Sequence, residues 1–460
     1  MLTILPAIWP IPTLERRMKR LFSLVLLIVA ASPIYAEDWP MWRGPRMDGS
    51  SLEKNLPISW SITKDKKTGA VTMDNIAWRT PIEGVGYSSP IVHGDRVFVT
   101  TCLVKEQKRV LICLDRASGK ILWQREVCES PLEPIHKRNS RASSTPATDG
   151  KYVFTSFLRL RKKSDNDAAP SKPREKSPIS PDLVPEIVIT AYDFEGNKVW
   201  EKTPGRFYSR HGFCSSPILY KDKVIVNADQ DAEAYIVALD RATGSEKWRI
   251  NRPNRYRSYC VPLIVHAAGK MQMVLSGAQA VDSYDPDTGA PIWHIQGPTE
   301  QYVASLVYGD GLFFLTAGFP DYHNMAIRPD GKGDVTKTHI HWHESKTLAK
   351  NASYVPSPIA VGKFFYMISD KGWLSCFDAQ TGKRTFIEQL GTFHSASPVL
   401  ADGHVYITDE DGMTHVLKGD GKFKVVSRNP LGENCSCSPA IAHGQIFIRT
   451  WDHLVCVGKK

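Results

Sequence analysis

The chain has 460 residues, 23% of them charged and 42% hydrophobic, a balance that excludes a fibrous or low-complexity polypeptide. Its formal net charge is +10. Part of that comes from Arg16, Arg17, Lys19 and Arg20 and part from a basic stretch after residue 158; the rest is too diffuse to specify a nucleic-acid partner.

The N-terminus reads as a secretory signal. Lys19 and Arg20 precede a short apolar run from Leu21 to Ala31, and Ile34-Tyr35-Ala36 offers a cleavage site at a small residue. Pro33, Glu37 and Asp38 follow too soon for a membrane span. Residues 1–36 are therefore assigned as a signal peptide, with Met18 as an alternative start, and the mature chain is expected in the periplasm or outside the cell. Residues 37–73 are assigned as an extended arm. Two Trp, two Pro and two Gly between Asp38 and Gly49 break regular structure, and Trp39 and Trp42 are predicted to plug into the main body. Ile76 to Thr80 reads as a strand that carries Trp78.

A regular grammar follows. Each unit opens on small residues and Pro, continues through a tight turn into an aliphatic strand, and ends on a strand carrying a large aromatic. Its most recognisable phrase runs Asp115…Gly119…Trp123, and returns as Asp240…Gly244…Trp248, Asp285…Gly289…Trp293 and Asp378…Gly382…Phe386. Eight openers stand at Pro90, Pro146, Pro217, Pro262, Leu306, Pro358, Pro398 and Pro439. Short strands punctuated by turn residues predict antiparallel sheets, and a fixed repeat predicts an array. The eighth unit stops after three strands. The orphan strand at Trp78 supplies its fourth, which closes a ring. The fold class is thus all-β, an eight-bladed β-propeller over residues 74–458. Trp78, Trp123, Trp200, Trp248, Trp293 and Trp342 are read as packing between blades against the turn glycines. Cys113, Cys376 and Cys456 share one repeat position and are read as core thiols; Cys102 and Cys128 are the favoured pair for a disulfide. Residues 159–186, rich in Pro, Ser, Lys and Arg, are read as a disordered basic insertion in the second unit.

The Asp-x-x-Thr/Ser-Gly-x-x-x-Trp phrase resembles the PQQ-type propeller repeat of quinoprotein alcohol dehydrogenases and of the BamB outer-membrane assembly factor. The stretches 39–45 and 333–342 are similar to features of secreted bacterial members. The resemblance implies eight blades. For the enzyme-type members it implies PQQ and Ca²⁺ in the central funnel, an Asp base and a pair of adjacent Cys. This chain has no Cys-Cys pair and no Cys-x-x-Cys-His, and no Asp, Glu and Asn set matches the family's metal ligands.

In a four-stranded meander the loop entering the first strand and the loop between the second and third share one face, so residues before each opener ring one mouth of the channel. These supply the candidate binding residues: Tyr87, Arg141, Arg210, His211, Phe213, Tyr256, Arg257, Tyr259, Gln301, Tyr302, Tyr354, His394 and Asn434. Tyr and Arg are what binding surfaces use, and Arg141, Arg210 and Arg257 attract an anion. His339, His341 and His343 alternate on one strand face and form a metal candidate. Asp229 to Glu233 and Asp409 to Gly412 lack Ca²⁺-loop spacing and read as polar turns. No catalytic residue is assigned. The reading is a monomeric, secreted, non-catalytic binding module for an envelope protein or polysaccharide, without a cofactor; the alternative is a PQQ- and Ca²⁺-dependent oxidoreductase.

Overall fold

Runs of aliphatic residues separated by Gly turns fold into strands throughout the computed structural model, which describes residues 36–65, 67–167, 178–277, 279–345 and 352–459, with residues 1 and 173. Glu37–Lys460 form one compact unit, and no helix occurs among the described residues. Most of the segment read as a signal peptide, residues 2–35, lies outside the described residues. Eight antiparallel blades follow in chain order. Their first strands are Ile91–His93, Ala147–Thr148, Ile218–Tyr220, Leu263–Ala267, Val307–Gly309, Ile359–Val361, Val399–Ala401 and Ala440–Ala442. Every predicted opener stands immediately before one of them.

The burial pattern shows why these sequences make blades. In blade 1, Arg96–Leu103 and Lys108–Asp115 each hold six consecutive buried residues, because a neighbouring blade covers each face. The outer strand, Ile121–Glu129, begins with an alternation of half-buried and exposed residues. Blade 4 gains a fifth strand, Gly333–Asp334, which pairs parallel to Trp293 and His294. Blade 8 is completed from the other end of the chain: Ile76–Pro81 pairs with His453–Val457, placing Trp78 opposite Cys456.

The seam between blades is a tryptophan laid on the glycine of the next blade's turn. Trp78 donates to the Arg116 carbonyl at 2.8 Å, Trp123 to Phe194 at 2.9 Å, Trp200 to Arg241 at 2.9 Å and Trp342 to Ala379 at 2.7 Å. A Cβ on Gly119 would stand 2.5 Å from the Trp78 ring, and Gly119 has φ +71°. Trp248 lies on Gly289 in the same manner. Trp293 departs from the pattern: its indole donates to Gln272 Oε1 of its own blade at 2.8 Å, while its ring packs 6.0 Å from Phe313 of blade 5.

All nine cysteines are free thiols. The predicted Cys102–Cys128 bridge does not form. Both residues pair with Arg109, one on each flanking strand. They are therefore two strand spacings apart, about 10 Å, beyond the reach of a disulfide. Cys113, Cys376 and Cys456 are buried, and burial pushes the Cys113 thiol up to about 12.

The arm is ordered and crosses the channel at the first strands, on the side away from the mouth. Trp39 pairs with Val92 of blade 1, Pro40 accepts from Thr148 of blade 2, Arg43 donates to Pro358 before blade 6, and Gly49 accepts from Leu400 of blade 7. Trp39 is fully buried and Trp42 half-buried. The arm is not extended to its end: Ser61–Lys64 and Val71–Asp74 form a hairpin. Asp38 clamps its start, accepting from His93 at 2.9 Å and His443 at 2.8 Å. The basic insertion is narrower than its sequence suggests. Arg159 to Lys162 pair with Leu183 to Glu186 as a continued hairpin, and Arg159 and Arg161 are bridged to Glu186. Residues 168–172 and 174–177, on which the remaining expectation of disorder falls, lie outside the described residues.

Two outcomes follow from the seam and the clamp. Gly119→Ala places a methyl against Trp78 at a left-handed φ and is expected to cost about 2–4 kcal/mol in chemical denaturation. Gly69→Ala, with φ +72° but open space around it, should cost only about 1–2 kcal/mol. The hydrogen bond to Asp38 raises the His93 pKa above its ordinary value. That contribution is complete below the unfolded histidine pKa and is lost as pH rises through the folded one. Thermal scans from pH 5 to pH 9 should show stability falling with rising pH, and the fall should shrink in Asp38→Asn.

Candidate functional site

Side chains alternate along the segment that leads into each first strand, and that alternation builds the channel wall. Counting back from each opener, the first and third residues lie on the channel side, where all but Ser305 and Ser357 line the cavity, while the second is turned into the body. The lower tier, one residue before each opener, is Ser89, Thr145, Ser216, Val261, Ser305, Ser357, Ser397 and Ser438. Its members are linked around the circle. The Ser89 amide donates to Thr145 Oγ1 at 2.9 Å, and the Thr145 amide to Ser216 Oγ at 2.9 Å. After Val261, which has no hydroxyl, the chain of bonds resumes from Val261 to Ser305, Ser357, Ser397, Ser438 and back to Ser89, at 2.8–3.1 Å. The upper tier, three residues before each opener, is Tyr87, Ser143, Cys214, Tyr259, Val303, Val355, Ser395 and Ser436, and all eight line the cavity.

The cavity measures about 1010 Å³. Trp42 of the arm forms its floor. Its wall has two chemistries. Blades 7, 8, 1, 2 and 3 present mainly hydroxyls, whereas blades 4 to 6 present Val261, Val303 and Val355, with Phe319 and Pro320 above them. Burial pushes the Tyr354 phenol up to about 12 and raises Tyr259 well above its usual value, so both remain protonated donors.

A strap roofs the mouth. Residues 130–145 leave the last strand of blade 1 and rest on the loop before blade 3, where Asn139 Nδ2 donates to the His211 carbonyl at 2.9 Å and the His136 ring lies 5.3 Å from His211. Burial, with Arg138 and Lys137 beside it, lowers the His136 pKa. From there Arg138 forms an ion pair with Asp370 of blade 6, four blades away and so on the opposite rim. Asp370 is held for this role by the Tyr354 amide at 2.7 Å.

Of the predicted rim residues, Tyr87, Arg210, His211, Arg257, Tyr259, Gln301 and Tyr354 line the cavity. Six do not. Phe213, Tyr302 and His394 stand four residues before their openers, where the alternation turns them inward, and their exposures are 3%, 0% and 0%. Burial pulls His394 down to about 4, leaving it neutral. Arg141 adopts φ +62° and donates to the Glu133 carbonyl at 2.9 Å instead of facing the channel. Tyr256 is half-buried away from the cavity, and Asn434 donates to the Glu410 carbonyl at 2.8 Å on the outer surface. Sequence reasoning missed Trp42 and every residue of the two tiers except Tyr87 and Tyr259. Applying a period of two to each opener would have found the tiers.

The histidine trio does alternate on one edge, but each member has a different partner: His339 faces Asp330, His341 faces the Gln380 carbonyl at 2.8 Å and His343 faces His323 at 3.0 Å. Among the described residues no three His, Cys, Asp or Glu side chains converge at metal-binding distance. The supposed polar turn Asp229 to Glu233 is instead an anchor: Asp229 binds Arg252 at 2.9 Å and Asp231 binds Arg257 at 2.9 Å, all four residues being buried. Asp409 is likewise buried, beside His415 at 3.2 Å.

A family model described as "Outer membrane protein assembly factor BamB" matches residues 62–162 and 186–384, more than half of the chain, and skips the basic insertion. None of the curated proteins matches. Among solved structures, BamB from Moraxella catarrhalis is 14% identical, with 83% of this chain and 99% of that one covered and a TM-score of 0.53. A europium-containing methanol dehydrogenase is 12% identical, with 90% and 89% covered and a TM-score of 0.59. The quinohemoprotein alcohol dehydrogenase from Comamonas testosteroni is 12% identical, with 95% and 82% covered and a TM-score of 0.59. At these identities the likeness is one of fold.

The strap is testable through its own basic residues. Asp370→Asn removes the partner of Arg138 while leaving the trypsin sites of the strap, Lys137, Arg138 and Arg141, in place. Cleavage after Lys137 or Arg138, followed by mass spectrometry, should be several-fold faster in the variant, and the gap should narrow at high salt.

Proposed function

We propose that this chain, which belongs to the family of outer membrane protein assembly factor BamB, is a non-catalytic binding module of the cell envelope that holds a polysaccharide or protein partner in its roofed funnel. The observation that carries the reading is the wall itself. A cavity of about 1010 Å³ with aromatic, hydroxyl and apolar sectors and a basic rim is a recognition surface. Trp42 closes its far end, so a partner enters and leaves through one mouth. The polysaccharide form is favoured by the two-sided wall, since a sugar ring has polar edges and an apolar C–H face.

The alternative, a PQQ-dependent oxidoreductase, rests on the likeness of fold to the quinoprotein dehydrogenases. The residues present do not fit a Ca²⁺-bridged quinone. Glu300 is the one carboxylate lining the cavity among the described residues, whereas Ca²⁺ takes six to eight oxygen ligands. No reaction step is derived through that cofactor.

Titration of purified envelope polysaccharide into the protein, with Lys137→Ala and Arg210→Ala in parallel, tests the proposal. Affinity is expected to fall about tenfold in each variant. Equal affinity in wild type and both variants would move the site away from the funnel, and dye-linked alcohol oxidation after addition of PQQ and Ca²⁺ would establish the alternative.

A further inference from the structure

We infer that the funnel is built for an acidic carbohydrate, whose carboxylate or sulfate oxygens are received by the five lower-tier hydroxyls that line the cavity, those of Ser89, Thr145, Ser216, Ser397 and Ser438. This deepens the binding reading and rests on it.

The tier is made of hydrogen-bond donors turned toward the channel. A Ser or Thr hydroxyl has one O–H and two lone pairs. In Ser89, Thr145, Ser216, Ser397 and Ser438 a lone pair is occupied by the amide of the preceding blade. These five line the cavity and are 1–7% exposed. None of their hydroxyls donates to an acceptor among the described residues. Five protons therefore require acceptors within the channel. Water supplies them in the free protein, and a ligand that displaces that water must supply them in its place.

The rim adds more donors. Lys137 and Arg210 line the cavity and have no acceptor capacity, while Glu300 is the one lining carboxylate among the described residues. A neutral sugar offers a donor with almost every acceptor; on this wall the remaining lone pair of each hydroxyl and Glu300 can receive those protons, and Lys137 and Arg210 can receive none. An oxyanion only accepts, and its hydrogen bonds are charge-assisted. The valine sector opposite the hydroxyls fits the apolar face of a pyranose. The floor at Trp42 stops a polymer from threading through, so the ligand is a short oligomer or a chain end.

The experiment is isothermal titration of the mature protein with galacturonate oligomers, a sulfated oligosaccharide, a neutral oligosaccharide of the same length, inorganic sulfate and PQQ. The acidic oligomers are expected to bind at least tenfold more tightly than the neutral one, with the carboxylate and sulfate arms identifying the preferred oxyanion. Ser216→Ala and Ser397→Ala should each weaken that binding several-fold. Ser305→Ala is the control: it removes the same kind of inter-blade bond outside the cavity. It should lower thermal stability comparably and leave affinity unchanged. Equal binding of neutral and acidic oligomers would overturn the acidic preference and leave the binding module standing. Binding of a purified envelope protein but of no oligosaccharide would overturn the carbohydrate assignment alone. Inorganic sulfate or PQQ binding as tightly as the best oligomer would also overturn it, and no binding by any of these partners would overturn both readings. Loss of affinity in Ser305→Ala equal to that in Ser216→Ala would remove the tier from recognition.

Discussion

A blade has two apolar faces and only its neighbours to bury them against. Everything else in this protein follows from that need for closure. Six consecutive buried residues on inner strands such as Arg96–Leu103 are tolerable only because no blade stands at an end. The strand Ile76–Pro81 and the seam of Trp78 on Gly119 turn a row of eight sheets into a ring. The tryptophan is suited to this joint because it fills the space left by a missing Cβ while its indole N–H satisfies a turn carbonyl. The seams at Trp78, Trp123, Trp200, Trp248 and Trp342 therefore combine packing, a hydrogen bond and a backbone conformation that other residues resist.

The hydroxyl tier gives the channel a second closure, polar where the seams are apolar. It has one gap, at Val261, and that gap lies in the same sector as Val303 and Val355. Structure and recognition share these residues. The amides of the residues just before the openers need acceptors near the axis, small hydroxyls provide them, and the protons left over give the channel its chemical character. Where the axis is lined by valine instead, the wall becomes apolar, and the funnel acquires two sides from a substitution pattern in otherwise equivalent blades.

The fold was legible because it is written eight times. The openers, the Asp…Gly…Trp phrase and the three-strand eighth unit determine blade number and closure, and repetition averages out local ambiguity. The site was less legible because it lies where the repeats differ. Its mouth residues were found where alternation happened to agree, as at Tyr87 and Tyr259, and missed by one position at Tyr302 and His394, since a shift of one residue reverses the direction of a side chain. The strap could not be read from sequence. Nothing in Arg138 or Asp370 announces a partner across the mouth, because that pairing exists only once the ring has placed blades 2 and 6 opposite one another. Buried ion pairs such as Asp229–Arg252 were hidden for the same reason, each partner looking like a solvated surface residue.

Borrowing the last strand from the N-terminus also sets an order of assembly. A chain made from its N-terminus carries Ile76–Pro81 unpaired until His453–Val457 has been synthesised, and domains made of nearest-neighbour units can begin to form before then. Through that interval the Trp78 strand remains exposed, with unsatisfied backbone groups that invite pairing with another chain, and so does the apolar face of blade 1 that blade 8 will cover. The step that completes the ring is thus also the step that ends its vulnerability. A chain truncated before His453 would be left with both faces of that opening uncovered, a natural target for proteolysis and quality control.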